Sequence, residues 1–563
     1  MHSSKIAIIY ILIPLTLSAF IHIWNPAGFP GIDQDEGHYM RRAMAVLQGL
    51  GPQETKAIYF YPYDHPYLGQ IFLASVLSLV NYPSSINPSV SSDSIEMLYL
   101  VPRLLMGILA VVDTFLVYKI ADARYNRNVA FVSATLFAVM PITWFLRRIL
   151  LDSIALPFIL LSILFAIYSM KSETYDYKAR DRKILLTLLS GLFLGLAIFT
   201  KMPVFTMIPL LTFIILKGND TKGSNNEANS NDSNSNIKNR HSQLKLLAIW
   251  FIPVVLIPLI WPLYAVSVGQ LDTWLDGVLW QASRADRPFD FEMKTVFLRM
   301  DPILMAFGVA GLIYAVIKRD YFILLWAFPY LLLSYFLNWV YFFHIIPIIA
   351  AFCISGTMLL FDVFKKIRSE RISNIVKFTV FGAIVIFGLV NSTLLVTQNI
   401  NDSDFKLISF VTKYLPYRYN GIDNSSGKVT LIGPNGAFIL YWITKDVFNK
   451  NFDFKWYESR RDYVEPPIKT DKFLMITDWD MRRDFNGNST KAQIEYASQL
   501  YNKTKLFGVF YNNTSLHDLN KYPYTNILDE VSGVRTSARG IQWNAPITVQ
   551  GNYSVNNLGI NSR

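Results

Sequence analysis

Eleven apolar runs recur along the first 397 residues, near 6–24, 97–118, 128–146, 149–170, 184–200, 202–216, 246–267, 302–317, 321–340, 342–361 and 378–397. Most approach the roughly 20 residues that an α-helix needs to cross the hydrocarbon core of a bilayer. No water is present there to satisfy backbone N–H and C=O groups, so a spanning segment must be helical or part of a closed barrel. Continuous apolar runs of this length select the helix. The expected fold is therefore mostly α, a polytopic transmembrane helix bundle. Composition agrees: only 17% of the 563 residues are charged, against about 25% in a soluble domain. The first run reads as a span rather than a cleaved signal peptide. No small-residue cleavage site follows it, and it is long for a signal's apolar core.

The net charge of +11 raises nucleic acid as a partner, but the placement of the charges gives a different reason for it. With the N-terminus inside, the inner segments carry 21 Lys and Arg, and the outer loops before residue 398 carry ten. This is the positive-inside bias of a membrane protein, and it excludes nucleic acid as the explanation. The short run 68–80 reads as a helix on or dipping into the outer face, because a crossing there would turn every later basic loop outward. The single cysteine, Cys353, lies in an apolar run and excludes a disulfide framework and a cysteine metal site.

Three segments depart from the membrane pattern. Residues 25–96 form a long outer loop, and the Asn-, Ser- and Lys-rich stretch 218–243 reads as a disordered cytoplasmic loop. From 398 to 563 the chain is polar. There KVTLIG (428–433) and KFLMIT (472–477) read as strands and KAQIEYASQLY (491–501) as a helix. The expectation is a transmembrane domain over 1–397 and an extracytoplasmic α/β domain over 398–563. Sequons at Asn424, Asn488, Asn502, Asn512, Asn513 and Asn552 are compatible with an outward tail.

Under this topology, ionisable and aromatic groups collect at the outer ends of the spans. They are the acidic stretch GIDQDEGHYMRR (31–42), YPYDHPYLGQ (61–70), RRILLD (147–152), FTKMP (199–203), the loop 269–300 and NWVYFFH (338–344). Any one of them could be a solvated span end, with its Lys and Arg snorkelling to the surface. Arg147, Asp152 and Lys201, however, occupy turns too short for a generic solvated loop, and ions half-buried at a membrane surface are usually paired or functional. Carboxylates that can accept the proton of an attacking hydroxyl, beside cations that can stabilise a phosphate leaving group, suit group transfer from a phosphate-bearing donor. A lipid tail on that donor would account for a site at the bilayer edge.

The order of these elements resembles that of the C-type integral membrane glycosyltransferases, and within them the protein O-mannosyltransferases and the lipid A aminoarabinose transferases. The resemblance covers roughly residues 5–360 and rests on five elements. Asp35 and Glu36, with Tyr39 following, match an acidic pair in the first outer loop. HPYLG (65–69) matches a Pro-rich segment, with Tyr67 replacing a proline. Arg147 and Asp152 match an R-x-x-x-x-D element, GLAIFTKMP (195–203) matches closely, and YFFHIIP (341–347) matches loosely.

The resemblance implies a polyprenyl- or dolichyl-phosphate sugar as donor, a hydroxyl on a protein, lipid or glycan as acceptor, inverting single displacement and no metal cofactor. Asp35 would be the general base, and Glu36 would orient acceptor or donor. Arg147 and Lys201 are candidates for the donor phosphate, and Asp152 for positioning an arginine or the sugar. Arg284 and Arg287 are further phosphate candidates by charge and side; Tyr39, His65, Tyr341 and His344 are candidate substrate contacts. The expected location is the cell membrane, a prokaryotic plasma membrane rather than the endoplasmic reticulum. Two alternatives stay open: a transporter or flippase of lipid-linked sugars, for which the in-span Asp113 would be the functional group, and a non-catalytic glycan-binding subunit.

Overall fold

A computed structural model describes residues 2–53, 63–171, 177–217, 233–284, 289–293, 301–338, 340–417, 429–434, 442–457, 473–477, 505–510, 536–537, 540–541 and 547–551. All eleven apolar runs lie on helices: α1 His2–Ile23, α4 Ser92–Arg124, α5 Arg127–Val139, α6 Leu151–Lys171, α7 Tyr177–Thr200, α8 Ile208–Lys217, α9 Ser233–Ser267, α12 Pro302–Lys318, α13 Tyr321–Leu337, α14 Ile346–Lys365 and α15 Glu370–Val396. Between them stand α2 Gln34–Leu47, α3 Leu68–Leu79, α10 Leu271–Ser283 and the short α11 Phe289–Glu292; α16, Asp402–Tyr414, follows α15. Six of the described helices are long and apolar enough to cross a membrane, and a seventh crossing results if α5 and the 3₁₀ turn Pro141–Arg147, bent by 69°, count as one. Shorter apolar helices account for the remaining runs. Because α9 begins at Ser233, residues 233–243 of the stretch read as disordered are helical.

The chain packs as two compact units. The first comprises Met1–Trp24, Leu50–Phe72 and Leu104–Val396, and the second Asn25–Gly49, Leu73–Arg103 and Thr397–Arg563.

Where α6, α7 and α9 meet, small residues and hydroxyl bonds join the helices, as in membrane helix pairs. Across α6 and α7, Ser162 Oγ donates to the Ser190 carbonyl at 2.7 Å and Ser190 Oγ donates back to the Ser162 carbonyl at 2.9 Å. Gly191 and Gly195, one turn apart on α7, lie against the α9 backbone at Trp250 and Pro253, where a Cβ would collide. A larger residue at either position would force α7 and α9 apart.

In the second unit, β1 (Val429–Pro434), β2 (Phe452–Tyr457), β3 (Phe473–Thr477), β4 (Lys505–Phe510) and β7 (Ile547–Gly551) form a five-stranded mixed sheet of order β2-β1-β3-β7-β4. A separate pair, β5 (Thr536–Ser537) and β6 (Gly540–Ile541), is antiparallel. The segments read as strands at 428–433 and 472–477 coincide with β1 and β3. The helix expected at 491–501 and all six sequons lie outside the described residues.

Candidate active site

The acidic stretch belongs to the second unit. Asp33 has extended backbone and caps α2: its Oδ1 accepts from the Asp35 N–H at 2.9 Å, and Glu36 Oε2 accepts in return from the Asp33 N–H at 3.0 Å. This reciprocal capping box places Asp35 in the first turn of α2, where the helix dipole favours an anion. Asp35 is half-buried and Glu36 fully buried.

Arg103 on α4, also fully buried, holds Glu36 through two bonds, Nε to Oε1 at 2.9 Å and Nη2 to Oε2 at 2.5 Å. Its remaining donors reach the backbone carbonyls of Pro26, Pro30 and Gly31 at 3.0, 2.8 and 3.4 Å. Bidentate geometry with every donor used is what a buried ion pair needs to offset its desolvation. Glu36 is therefore a structural anchor. Arg103 is its partner.

The start of the tail holds the same loop from another side. Asn401 Nδ2 donates to the carbonyls of Ala27, Pro30 and Gly28 at 2.7, 2.8 and 3.3 Å, and its Oδ1 accepts from the Ile32 N–H at 3.1 Å. The Ile400 N–H donates to the Gly28 carbonyl at 2.9 Å, and a side chain at Gly28 would strike Asn25 and Asn399. Further along the tail, buried Trp442 packs edge-on against Tyr99 at 5.4 Å, and Phe405 packs on the same ring at 5.7 Å. Tyr39 is buried beside His38.

The other elements meet within the first unit. Gly69 of HPYLG lies against Leu151 and Thr200, which joins the second element to the third and fourth. Lys201 Nζ donates to Asp152 Oδ2 and sits 4.9 Å above the Phe343 ring of YFFH. Lys201 and Asp152 are both buried. Their turn arises because α7 ends at Thr200, Lys201 adopts extended backbone and Pro203 helps open the next 3₁₀ turn. Arg147 ends the 3₁₀ turn Pro141–Arg147, is fully buried, and donates through Nη2 to the Trp24 carbonyl. Asp301 fixes this turn: one carboxylate oxygen caps α12 through the Leu304 N–H at 2.9 Å, and the other accepts from Ile142 N–H at 3.4 Å.

Tyr67, which departs from the family pattern, fills an aromatic cluster. It lies between Phe199 and Tyr264, with centroids at 4.9 and 5.4 Å, and burial raises its hydroxyl to about 12. Tyr63 completes the cluster; its hydroxyl donates to Gln270 Oε1 at 2.8 Å, and its backbone packs on Gly277 of α10. His65 is half-buried, and its carbonyl accepts from Gln53 at 3.4 Å. Arg284 Nη1 donates to Gln281 at 2.9 Å, with its guanidinium 4.7 Å from the Trp280 ring. Arg287 lies outside the described residues. His344 Nδ1 accepts from the Tyr341 N–H at 3.1 Å, so this pair caps the 3₁₀ turn Phe342–Ile345. Asp113 is fully buried, and neither carboxylate oxygen has a hydrogen-bond partner among the described residues. No group of three His, Cys, Asp or Glu among the described residues is arranged to hold a metal.

Arg103, Asn401 and Asp301 hold the turns of the candidate site in place and were not among the residues expected from the sequence. Asp301 before Pro302 has the form of a helix start, and Asp33 and Glu36 have capping-box spacing. For Arg103 and Asn401 there was no local signal.

Residues 56–272 match the sequence model of the dolichyl-phosphate-mannose-protein mannosyltransferase family. No curated protein sequence matches the chain. Among solved structures, it resembles the Archaeoglobus fulgidus oligosaccharyltransferase tethered with an acceptor peptide containing the NVT sequon, with a TM-score of 0.54 and 12% identity over 90% of this chain and 73% of that one. It also resembles ArnT from Cupriavidus metallidurans bound to undecaprenyl phosphate, with a TM-score of 0.52 and 11% identity over 98% and 99% of the two chains. A third likeness is to AglB from Archaeoglobus fulgidus in complex with an inhibitory peptide and a dolichol-phosphate, with a TM-score of 0.50 and 10% identity over 80% and 64%. The chain thus shares the fold of these solved structures, and the mannosyltransferase model matches its residues 56–272.

Proposed function

We propose that the protein transfers a monosaccharide from a polyprenyl- or dolichyl-phosphate donor to a hydroxyl acceptor at the outer face of the membrane. The observation that carries this reading is the buried Lys201–Asp152 pair beside Phe343, built where the turns at 65–69, 147–152 and 199–203 meet. A lysine ammonium is a compact point charge that can pass from a carboxylate to a phosphate oxygen. Asp152 holds it in place until a donor arrives. Arg147 adds a second fixed cation to the same unit.

Chemically, Asp35 accepts the acceptor's proton as its oxygen bonds to the anomeric carbon. The bond from that carbon to the phosphate oxygen breaks, and the lipid phosphate leaves with the electron pair. Lys201 stabilises the charge that develops there. Glu36, locked to Arg103, keeps the turn bearing Asp35 in place. The family description favours a protein hydroxyl as acceptor and mannose as the sugar. The solved structures that hold undecaprenyl phosphate, dolichol-phosphate and an acceptor peptide support a lipid-phosphate donor and a peptide acceptor. The reading retains a cytoplasmic N-terminus and an outer tail, following the positive-inside count.

The test is transfer by the purified protein in liposomes supplied with dolichyl- and undecaprenyl-phosphate sugars and a Ser/Thr-containing peptide. The expected product is a glycopeptide with inverted anomeric configuration. Retained configuration would refute the single displacement, and lack of transfer from either lipid would refute the donor class.

A further inference from the structure

The end of the first unit remote along α5 from the Arg147 turn holds a cavity of about 430 Å³. It is lined by the start of α5 at Arg127, the end of α14 at Met358, Phe361, Asp362 and Lys365, and Lys377 on α15. The charges in this lining are unevenly matched. Asp362 is taken up, accepting from Tyr314 Oη and from Lys365 Nζ at 3.0 Å, with Lys318 Nζ at 3.4 Å. Arg127 has no hydrogen-bond or ion-pair partner among the described residues, and Lys377 makes one long contact, 3.4 Å to Asn374. Two cations from different helices thus face one concave space whose lining carboxylate, Asp362, is already engaged by Tyr314, Lys365 and Lys318. The wall beside them is apolar, from Met358 and Phe361 on a helix long and apolar enough to cross a membrane.

We propose that this cavity seats the headgroup of an anionic membrane lipid. The phosphate lies between Arg127 and Lys377, and the glycerol lies along Met358 and Phe361. Basic pockets between transmembrane helices on the inner side are suited to such headgroups, and the charge count places both contributing segments, 119–127 and 362–377, inside. A free phosphate would satisfy the two cations but would leave the apolar wall uncovered, which favours the lipid. The site is separate from the donor site and does not depend on the catalytic reading.

The experiment counts lipids retained by the full-length protein from phosphatidylcholine discs containing a minor fraction of phosphatidylglycerol, by native mass spectrometry. Wild type should retain phosphatidylglycerol. The Arg127→Gln/Lys377→Gln variant should lose it, roughly fivefold in affinity for each charge removed. Lys366→Gln/Arg368→Gln, which removes the same charge from exposed positions outside the lining, should retain it. So should Arg127→Lys/Lys377→Arg, which also controls for folding. Equal retention by the two charge-removing variants, or equal loss, would overturn the site. Displacement of the lipid by millimolar inorganic phosphate would overturn the lipid assignment in favour of a free phosphate.

Discussion

Two buried ion pairs among the described residues, Arg103–Glu36 and Lys201–Asp152, are built differently. Arg103 and Glu36 form a saturated lattice: the capping box, the guanidinium and Asn401 together satisfy a run of loop carbonyls and leave the turn bearing Asp35 fixed. Lys201 and Asp152 share a single bond, and Asp152 Oδ1 and the neighbouring Ser153 hydroxyl are buried without a partner among the described residues. Unsatisfied buried groups are costly, and in native proteins they concentrate where function needs them. One pair is saturated and the other is not, which is the contrast that the proposed base and the proposed phosphate-binding cation would require.

That contrast can be broken by mutation. Arg103→Leu strands a buried carboxylate and should cost about 3–5 kcal/mol of stability, while the double variant Arg103→Leu/Glu36→Leu should recover much of it. Thermal unfolding in detergent reads both, and equal destabilisation by the single and double variants would show that the pair is not the anchor. Lys201→Ala/Asp152→Asn, which removes the cation without stranding a buried carboxylate, should act on the ligand instead, lowering donor affinity by about 1.5–3 kcal/mol, the range of a charge-assisted bond, with the protein still folded. A donor titration with unchanged affinity would move the phosphate site elsewhere. Asn401→Ala has the smallest expected effect. It leaves loop carbonyls short of a donor at about 1–2 kcal/mol and should slow turnover without weakening donor binding, a split that a mutation confined to the donor site would not give.

The sequence and the structure agree where the determining forces are local. Long apolar runs are helical because a bilayer leaves them no other way to satisfy their backbone, so all eleven were legible. The turns at Arg147 and Lys201 were legible as crowded places for charge, and their order suggested their company. The acidic pair, which suggests that Glu36 orients acceptor or donor, is defined by neighbours along the chain, whereas the partner of Glu36, Arg103, lies 67 residues away and left no local sign. Asn401 was invisible for the same reason: it belongs to a tail that looked like a separate domain, yet it packs in one unit with residues 25–49 and 73–103. The Tyr67 substitution, which weakened the family pattern, became intelligible only when its ring was found between Phe199 and Tyr264.

The account turns on Asp35 as the proton acceptor on a turn that other residues hold rigid. Asp35→Asn keeps the shape and removes the base. Donor-lipid binding and sugar transfer should be measured on the same preparation of that variant. The predicted result is donor binding equal to wild type with transfer reduced about 10²–10⁴-fold, the span of general-base contributions. Transfer at the wild-type rate with the donor bound would contradict it.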